Sequence, residues 1–325
     1  MSLSRALLIA SYGRHYLAQT LRTDVSKHQS HGGPLIEVTT PGKRHLGAVG
    51  DILQLERSSD RQARLVEIEP RRNLLYRSDA FKSKLIAANV DQILVVLATQ
   101  PAFSPDLLGR AVVAAEANQI GLHILLNKCD LSDSIETARK LIEPYARMGY
   151  PVSEVSAKFD TASLERLHGA LQGKVSVLVG QSGMGKSSLL NAWVPNAAAV
   201  TQEYSVRLDT GKHTTTACRY FNLPSEWGIA DGKLGALIDS PGFQEFGLAH
   251  LSVSELQHAF REFKDYLGHC RFHNCAHETE PGCVIREAVA KHIIAPERLA
   301  LFRQLRSDSQ TADIQMMGIT TAKQR

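Results

Sequence analysis

From Arg5 to about Tyr76, short apolar runs are broken every few residues by Gly, Pro and charged positions; among them are Ala6–Ile9, Leu35–Thr39, Ile52–Leu55 and Leu65–Ile68. This spacing predicts a small all-β barrel or sandwich. After Asp79 the texture changes. Gln92–Ala98, Leu122–Leu126, Val175–Val179 and Ala236–Ile238 are apolar runs of the kind parallel strands show when both sheet faces are covered. Amphipathic helices separate them, which predicts an α/β sheet. Ser104-Pro105-Asp106 supplies an N-cap, a first-turn proline and an early carboxylate to a helix that turns Leu107, Leu108, Ala111, Val112 and Ala115 inward. Ser132 or Asp133 is expected to cap the next helix, which runs through Met148 and closes at Gly149. Beyond about Phe246 the chain turns helical and polar. Ser252-Val253-Ser254-Glu255 has capping-box spacing and opens a helix expected to reach Leu267, with further helical stretches near Val284–His292 and Pro296–Leu305. From about Ser307 no periodic apolar face remains, and this tail is expected to be flexible. The pattern thus divides the chain into a β module over 1–76, an α/β domain over 77–246 and a helical segment over 247–325.

Composition narrows the class. With 43% hydrophobic and 22% charged residues in 325, the chain reads as a globular protein of two or three domains. No apolar run approaches the ~20 residues that cross a bilayer. Arg5, Arg14 and His15 interrupt the N-terminal stretch, so a cytoplasmic protein without a membrane partner is expected. The formal net charge of +4 points toward a polyanionic partner without establishing one. Lys43 and Arg44, in one expected loop of the β module, read from charge alone as a solvated rim, with a nucleic-acid surface as the alternative.

The chemistry begins at Gly180-Gln181-Ser182-Gly183-Met184-Gly185-Lys186-Ser187, followed by Ser188. This segment fits the phosphate-binding pattern G-x-x-x-x-G-K-[ST], and it lies between a predicted strand and a predicted helix as that motif requires. Backbone N–H groups would line a concavity at the helix N-terminus. Lys186 would reach the β- and γ-phosphates, while the Ser187 hydroxyl would ligate Mg²⁺. Asn127-Lys128-Cys129-Asp130 directly follows another apolar strand and fits N-K-x-D. A carboxylate at Asp130 can accept from the ring N1–H and the exocyclic amine of guanine, a donor pair adenine lacks. Asp130 therefore disfavours an ATPase or metabolite kinase. Asn127 would brace the loop or accept at the base edge, and the Lys128 stem can lie over the ring. Ser156-Ala157-Lys158 matches the S-A-K segment whose backbone N–H meets guanine O6. Asp239-Ser240-Pro241-Gly242 fits D-x-P-G: Asp239 would hold Mg²⁺ through water and the Gly242 N–H would sense the γ-phosphate. Between cradle and D-x-P-G lies Gly211-Lys212-His213-Thr214-Thr215-Thr216, where Thr215 is the threonine chosen to join Mg²⁺, its two neighbours remaining open.

Five cysteines make an odd number for a disulfide framework, and three of them crowd together. Cys270-x4-Cys275-x-His277-x5-Cys283 offers three thiolates and an imidazole, enough to close a structural Zn²⁺ site; His269 and His273 are less favoured nitrogen donors. Cys129 and Cys218 are read as unligated.

Order along the chain adds to this. The base-reading N-K-x-D and S-A-K precede the phosphate cradle, the reverse of ordinary GTPases, and a pocket survives such a permutation because its contacts depend on space. With a β-rich N-terminal module and a C-terminal Cys/His cluster, the chain closely resembles the RsgA family of ribosome-biogenesis GTPases over nearly its whole length. The resemblance implies an OB-fold, a circularly permuted GTPase domain and a zinc-binding domain. It also implies a role in late maturation of the small ribosomal subunit, which stimulates GTP hydrolysis. The spacing of the Cys/His cluster agrees with the family's zinc motif. Phe243 stands where Ras-like enzymes carry a water-positioning Gln; by similarity to the family's G-x-H-T-T-T segment, His213 is the candidate for that role. GTP, GDP and rRNA are the expected ligands and a monomer the expected state. An RNA-binding scaffold that holds GTP with negligible turnover is the alternative.

Overall fold

The computed structural model describes residues 3–12, 15–21, 33–40, 47–78, 83–131, 134–207, 218–227, 230, 234–240, 246 and 248–322. Five strands, β1 (Ser4–Tyr12), β2 (His15–Thr20), β3 (Leu35–Thr39), β4 (Ile52–Arg57) and β5 (Gln62–Ile68), pair in the order β1-β2-β3-β5-β4. A further pairing of β4 with β1 closes the barrel. Alternation of side chains along a strand places two residues of each inside: Ala6 and Leu8, Tyr16 and Ala18, Ile36 and Val38, Leu53 and Leu55, Ala63 and Leu65. Closure leaves no open edge between these strands, and the order is that of an OB-type barrel. Leu7, Ile9 and Leu17 point the other way and join the main core. Below the barrel, Asp51 is fully buried, accepts from the Ala48 N–H at 2.7 Å, and is held by Arg71 through two bonds of 2.7 and 2.8 Å. A separate hairpin, β6 (Leu74–Ser78) with β7 (Ser83–Ala88), leads into the α/β part.

That part comprises β8 (Gln92–Ala98), α1 (Pro105–Ala117), β9 (Gly121–Asn127), α2 (Ile135–Arg147), β10 (Val152–Glu154), α3 (Thr161–Glu165) and α4 (His168–Leu171). It continues through β11 (Val175–Val179), α5 (Lys186–Trp193), α6 (Ala197–Arg207), β12 (Arg219–Asn222) and β13 (Ala236–Asp239). Strand order is β10-β9-β8-β11-β13-β12, parallel except for β12. The apolar runs read from sequence are these parallel strands; all seven residues of β8 are buried. A single register pair, Ala10 opposite Arg219, joins β12 to β1 and makes the barrel continuous with this sheet. Ser104 caps α1 by accepting from the Leu107 N–H. The cap position of α2 is Ser134, whose hydroxyl donates to Thr99 O at 3.1 Å; Ser132 and Asp133 lie outside the described residues.

The C-terminal segment departs from expectation twice. Ser252 and Glu255 form the capping box, but α7 (Val253–Ala259) stops at an extended Phe260, and Arg261–Tyr266 continues as a 3-10 helix rather than one helix to Leu267. At the break Phe260 stacks on Phe263 at 4.9 Å and Phe302 sits edge-on to Phe260, so the chain turns there around an aromatic cluster. After α8 (Val284–Ala290), α9 spans Pro296–Ala322, so the described tail continues as helix well beyond Leu305. Ser309 shows why: it is buried and its hydroxyl donates to Leu251 O at 2.7 Å, a polar anchor that apolar periodicity does not reveal.

α7 and α9 dock on α1. Gly109 permits the approach, since a Cβ there would lie 2.5 Å from Leu301. Arg298 is 3% exposed, ion-paired with Glu262 and stacked 4.5 Å over the Phe260 ring. Arg298→Met is expected to cost about 3–5 kcal/mol in urea unfolding, because Glu262 is left charged and unpaired. The double variant Arg298→Met/Glu262→Leu should recover most of that loss; equal stability of the single variant and wild type would refute the assignment. Among the described residues no helix is long and apolar enough to cross a membrane.

Candidate functional site

Four motifs leave the carboxyl ends of parallel strands in one sheet: N-K-C-D after β9, S-A-K after β10, the phosphate loop after β11 and Asp239 at the end of β13. Ligands of open α/β sheets bind at that edge. Chain order is irrelevant to this convergence; strand order alone decides it.

In the phosphate loop, Lys186 opens α5 and its ammonium donates to Gly180 O at 2.6 Å and Gln181 O at 2.8 Å, curling the loop around itself. Burial lowers the Lys186 pKa, partly offset by the Asp239 carboxylate. Burial likewise raises the Asp239 pKa, with Lys186 and Arg219 opposing. The two are thus electrostatic neighbours at the cradle mouth. Met184 is buried, while Ser182, Gly183 and Ser187 face solvent and Ser188 is half-buried. Gly185 adopts φ +94°, and a Cβ there would lie 2.1 Å from Asn127 Nδ2. No side chain fits this position.

The close approach at Gly185 exists because Asn127 spans three motifs. Its buried amide donates from Nδ2 to Met184 O at 3.0 Å and accepts at Oδ1 from the Ala157 N–H at 3.1 Å. Asn127→Ala removes both bonds and strands two backbone groups, so a stability loss of about 1–3 kcal/mol is expected. A roughly tenfold weaker hold on guanine nucleotide should accompany it, by titration calorimetry, because loop order is then supplied at the expense of binding. Undiminished affinity would show that the bridge is dispensable.

Lys128 has a left-handed backbone, φ +61°, and its ammonium donates to Gln100 O at 2.7 Å. Asp130 is exposed and accepts from the Ser156 hydroxyl at Oδ1. Ser156 is buried and Lys158 exposed. The Cys129 thiol donates to Leu126 O, and burial pushes its pKa up to about 11, which disfavours the reactive thiolate. Ser240 donates to Leu178 O at 2.6 Å and fixes the end of β13 against β11. Gly242, Phe243, His213, Thr215, Lys43 and Arg44 lie outside the described residues.

Two tethers reach these motifs from a loop that belongs to none of them. Thr99 donates its hydroxyl to Lys128 O at 2.9 Å, and Gln181 Oε1 accepts from the Ser104 N–H at 2.8 Å. The loop between β8 and α1 therefore holds both the N-K-C-D loop and the glycine-rich loop. Its one sequence signal is position, since it too leaves the carboxyl end of a central strand.

Far along the chain, Cys270, Cys275, His277 and Cys283 turn their donor atoms inward, all within 4.8 Å of one another. Sγ of Cys270 lies 3.9 Å from Sγ of Cys283 and 3.7 Å from Nδ1 of His277, and the latter lies 3.3 Å from Cys283 Sγ. A tetrahedron of metal–sulfur bonds of about 2.3 Å has edges of about 3.8 Å, so the cluster is shaped for one ion. Nε2 of His277 faces the Gln257 amide at 3.1 Å, and Arg303 donates to the His277 carbonyl, orienting the ring from outside. All three cysteines are free thiols.

The RsgA GTPase family model matches residues 68–249. A small ribosomal subunit biogenesis GTPase RsgA from Paraburkholderia phytofirmans is 53% identical over 300 residues, covering 92% of this chain and 91% of that protein. The protein of the same description from Burkholderia pseudomallei is 51% identical over 300 residues, with 92% and 90% covered. Among solved structures, YjeQ from Thermotoga maritima superposes with a TM-score of 0.68 at 27% identity, covering 95% of this chain and 99% of that one. YloQ, described as a circularly permuted GTPase, does so with a TM-score of 0.65 at 26% identity, covering 95% and 96%. Motif order, strand-end geometry and these likenesses coincide along one sequence, and the chain belongs to the RsgA GTPase family.

Proposed function

We propose that this GTPase acts in late maturation of the small ribosomal subunit, docking on rRNA with GTP bound and leaving once GTP is hydrolysed. The observation that carries the pocket is the Asn127 amide, which holds the base-reading loop, the S-A-K turn and the phosphate loop together. The partner is inferred from relatives named for small ribosomal subunit biogenesis.

In this reading Asp130 accepts from guanine N1–H and the exocyclic amine, Ser156 steadies that carboxylate, the Ala157 segment meets O6 and the Lys128 stem covers the ring. Lys186 reaches the β- and γ-phosphates and Gly242 reports on the latter. Ser187, Thr215 and, through water, Asp239 would hold Mg²⁺; their oxygen donors suit a hard cation, which neutralises charge between the phosphates. His213 orients the attacking water in place of the Gln that Phe243 displaces. The thiolate and imidazole donors of Cys270, Cys275, His277 and Cys283 suit Zn²⁺, and four protein ligands leave no open position, so that ion is structural. The work divides among residues 1–76, which meet RNA through Lys43 and Arg44, residues 77–246, which bind and hydrolyse GTP, and residues 247–325, which carry the metal. The protein works as a cytoplasmic monomer.

Phosphate release measured with and without purified small subunits tests this. Subunits are expected to raise turnover at least tenfold, and His213→Ala should lose about 10²–10⁴-fold of the stimulated rate while binding GTP normally. Identical turnover with and without subunits would leave a scaffold holding GTP as a structural ligand.

A further inference from the structure

Arg271, Phe272, His273 and Asn274 lie between two of the metal-cluster cysteines, and all four are exposed. Phe272 keeps 42% of its surface in water. Its loop is nonetheless held at both ends: the Arg271 N–H donates to Gly282 O at 3.0 Å, and the Phe272 carbonyl accepts from the Cys275 N–H at 3.2 Å. Cys270 and Cys275 flank it as members of the cluster. A bound metal therefore immobilises a loop whose side chains project outward.

The Arg271 guanidinium lies 5.6 Å from the Phe272 ring centroid. Among the described residues it makes no ion pair. Glu278 is engaged by Arg306 at 3.1 Å, and Glu280 accepts the N–H groups of Ala276, Glu278 and Thr279 at 2.7, 2.8 and 3.1 Å. The acids between His277 and Cys283 are thus engaged internally, and Arg271 keeps its donors for another molecule. A solitary exposed aromatic is ordinary. An aromatic set beside an unpaired guanidinium on a loop fixed by a metal cluster is a preorganised pair.

We propose that Arg271 and Phe272 form an RNA contact in which the Phe272 ring stacks on an unpaired base and Arg271 holds the adjoining phosphate. The chemistry favours RNA because unpaired bases offer a π-face to any aromatic and their phosphates offer a planar acceptor to arginine. Rigidity matters as much, since little side-chain and loop freedom remains to be lost on binding. This inference rests on the proposed function for its partner, small-subunit rRNA.

The full-length chain, with metal content and basal GTP hydrolysis measured as controls, is titrated with purified small subunits and with deproteinised small-subunit rRNA at several salt concentrations. Phe272→Ala is expected to weaken binding to both about tenfold with an unchanged salt slope, the loss of one base stack. Phe272→Tyr should bind as wild type does. Phe272→Leu, which keeps bulk without a ring, should behave as Phe272→Ala. Arg271→Ala should flatten the salt dependence by about one ion. Wild-type affinity in Phe272→Ala or Phe272→Leu overturns this inference alone. Weakening on subunits but not on deproteinised rRNA also overturns it, by making the partner a protein. Wild-type protein that ignores small subunits overturns the inference and the proposed function together.

Discussion

Asp130→Asn is expected to exchange guanine for xanthine as the preferred base. Guanine offers two donors, N1–H and the exocyclic amine, to the carboxylate; an asparagine amide answers one of them with its own N–H and leaves like facing like. Xanthine carries a carbonyl where guanine has the amine, and the amide restores a matched pair. Sites built to read a polar group reject the mismatched analogue by about 10⁴-fold, and a fall in GTP affinity of about 10³-fold is anticipated for this exposed position. Ser156 donates to Asp130 and can donate equally to an amide oxygen, so the loop is expected to keep its shape. Competition between guanosine and xanthosine triphosphates for the variant is the measurement. Unchanged guanine preference would remove Asp130 from base reading.

The other large effect belongs to the metal cluster. Cys283→Ser, or removal of the ion by a chelator, should unfold the segment around residues 268–292 and leave the nucleotide pocket intact. The reason is local: His277 packs at 5.7 Å from Phe302 and at 6.2 Å from Phe263, so the cluster is the seam that presses the cysteine loops onto the aromatic core. Structural zinc binding contributes about 10–16 kcal/mol to small domains that depend on it. Limited proteolysis with and without chelator should show new cleavage confined to those loops, with GTP affinity retained. Equal protease resistance of the metal-depleted and loaded protein would contradict a structural role.

How much of this was legible in the sequence follows from the kind of interaction involved. The cradle, N-K-C-D and S-A-K are short contiguous stretches whose chemistry dictates residue type, and the parallel strands announce themselves by unbroken apolar runs. Long-range polar contacts carry no such mark. Nothing near Ser309 foretells its bond to Leu251 O, and so the helix past Ser307 reads as a tail. The stop at Phe260 is similar: Val253 to Leu267 has helical periodicity, but the aromatic cluster completed by Phe302 outweighs one turn of helix. The tethers from Thr99 and Gln181 depend on where β8 ends relative to β9 and β11, a fact of sheet order. Strand β12 pairs with β1 through one register pair, too brief for any pattern to betray.

Sheet order has a further meaning when the protein is read in time. The ribosome that makes this chain releases β8, β9 and β10 first, yet β11, which sits between β8 and β13, emerges only afterwards. The nascent half that carries N-K-C-D and S-A-K must wait with one flank of β8 uncovered until the missing neighbour inserts. Such an exposed flank is where a growing polypeptide is open to aberrant strand pairing. Completion of the sheet, and with it the first moment at which all four strand-end motifs stand side by side, falls near the close of translation of the α/β part.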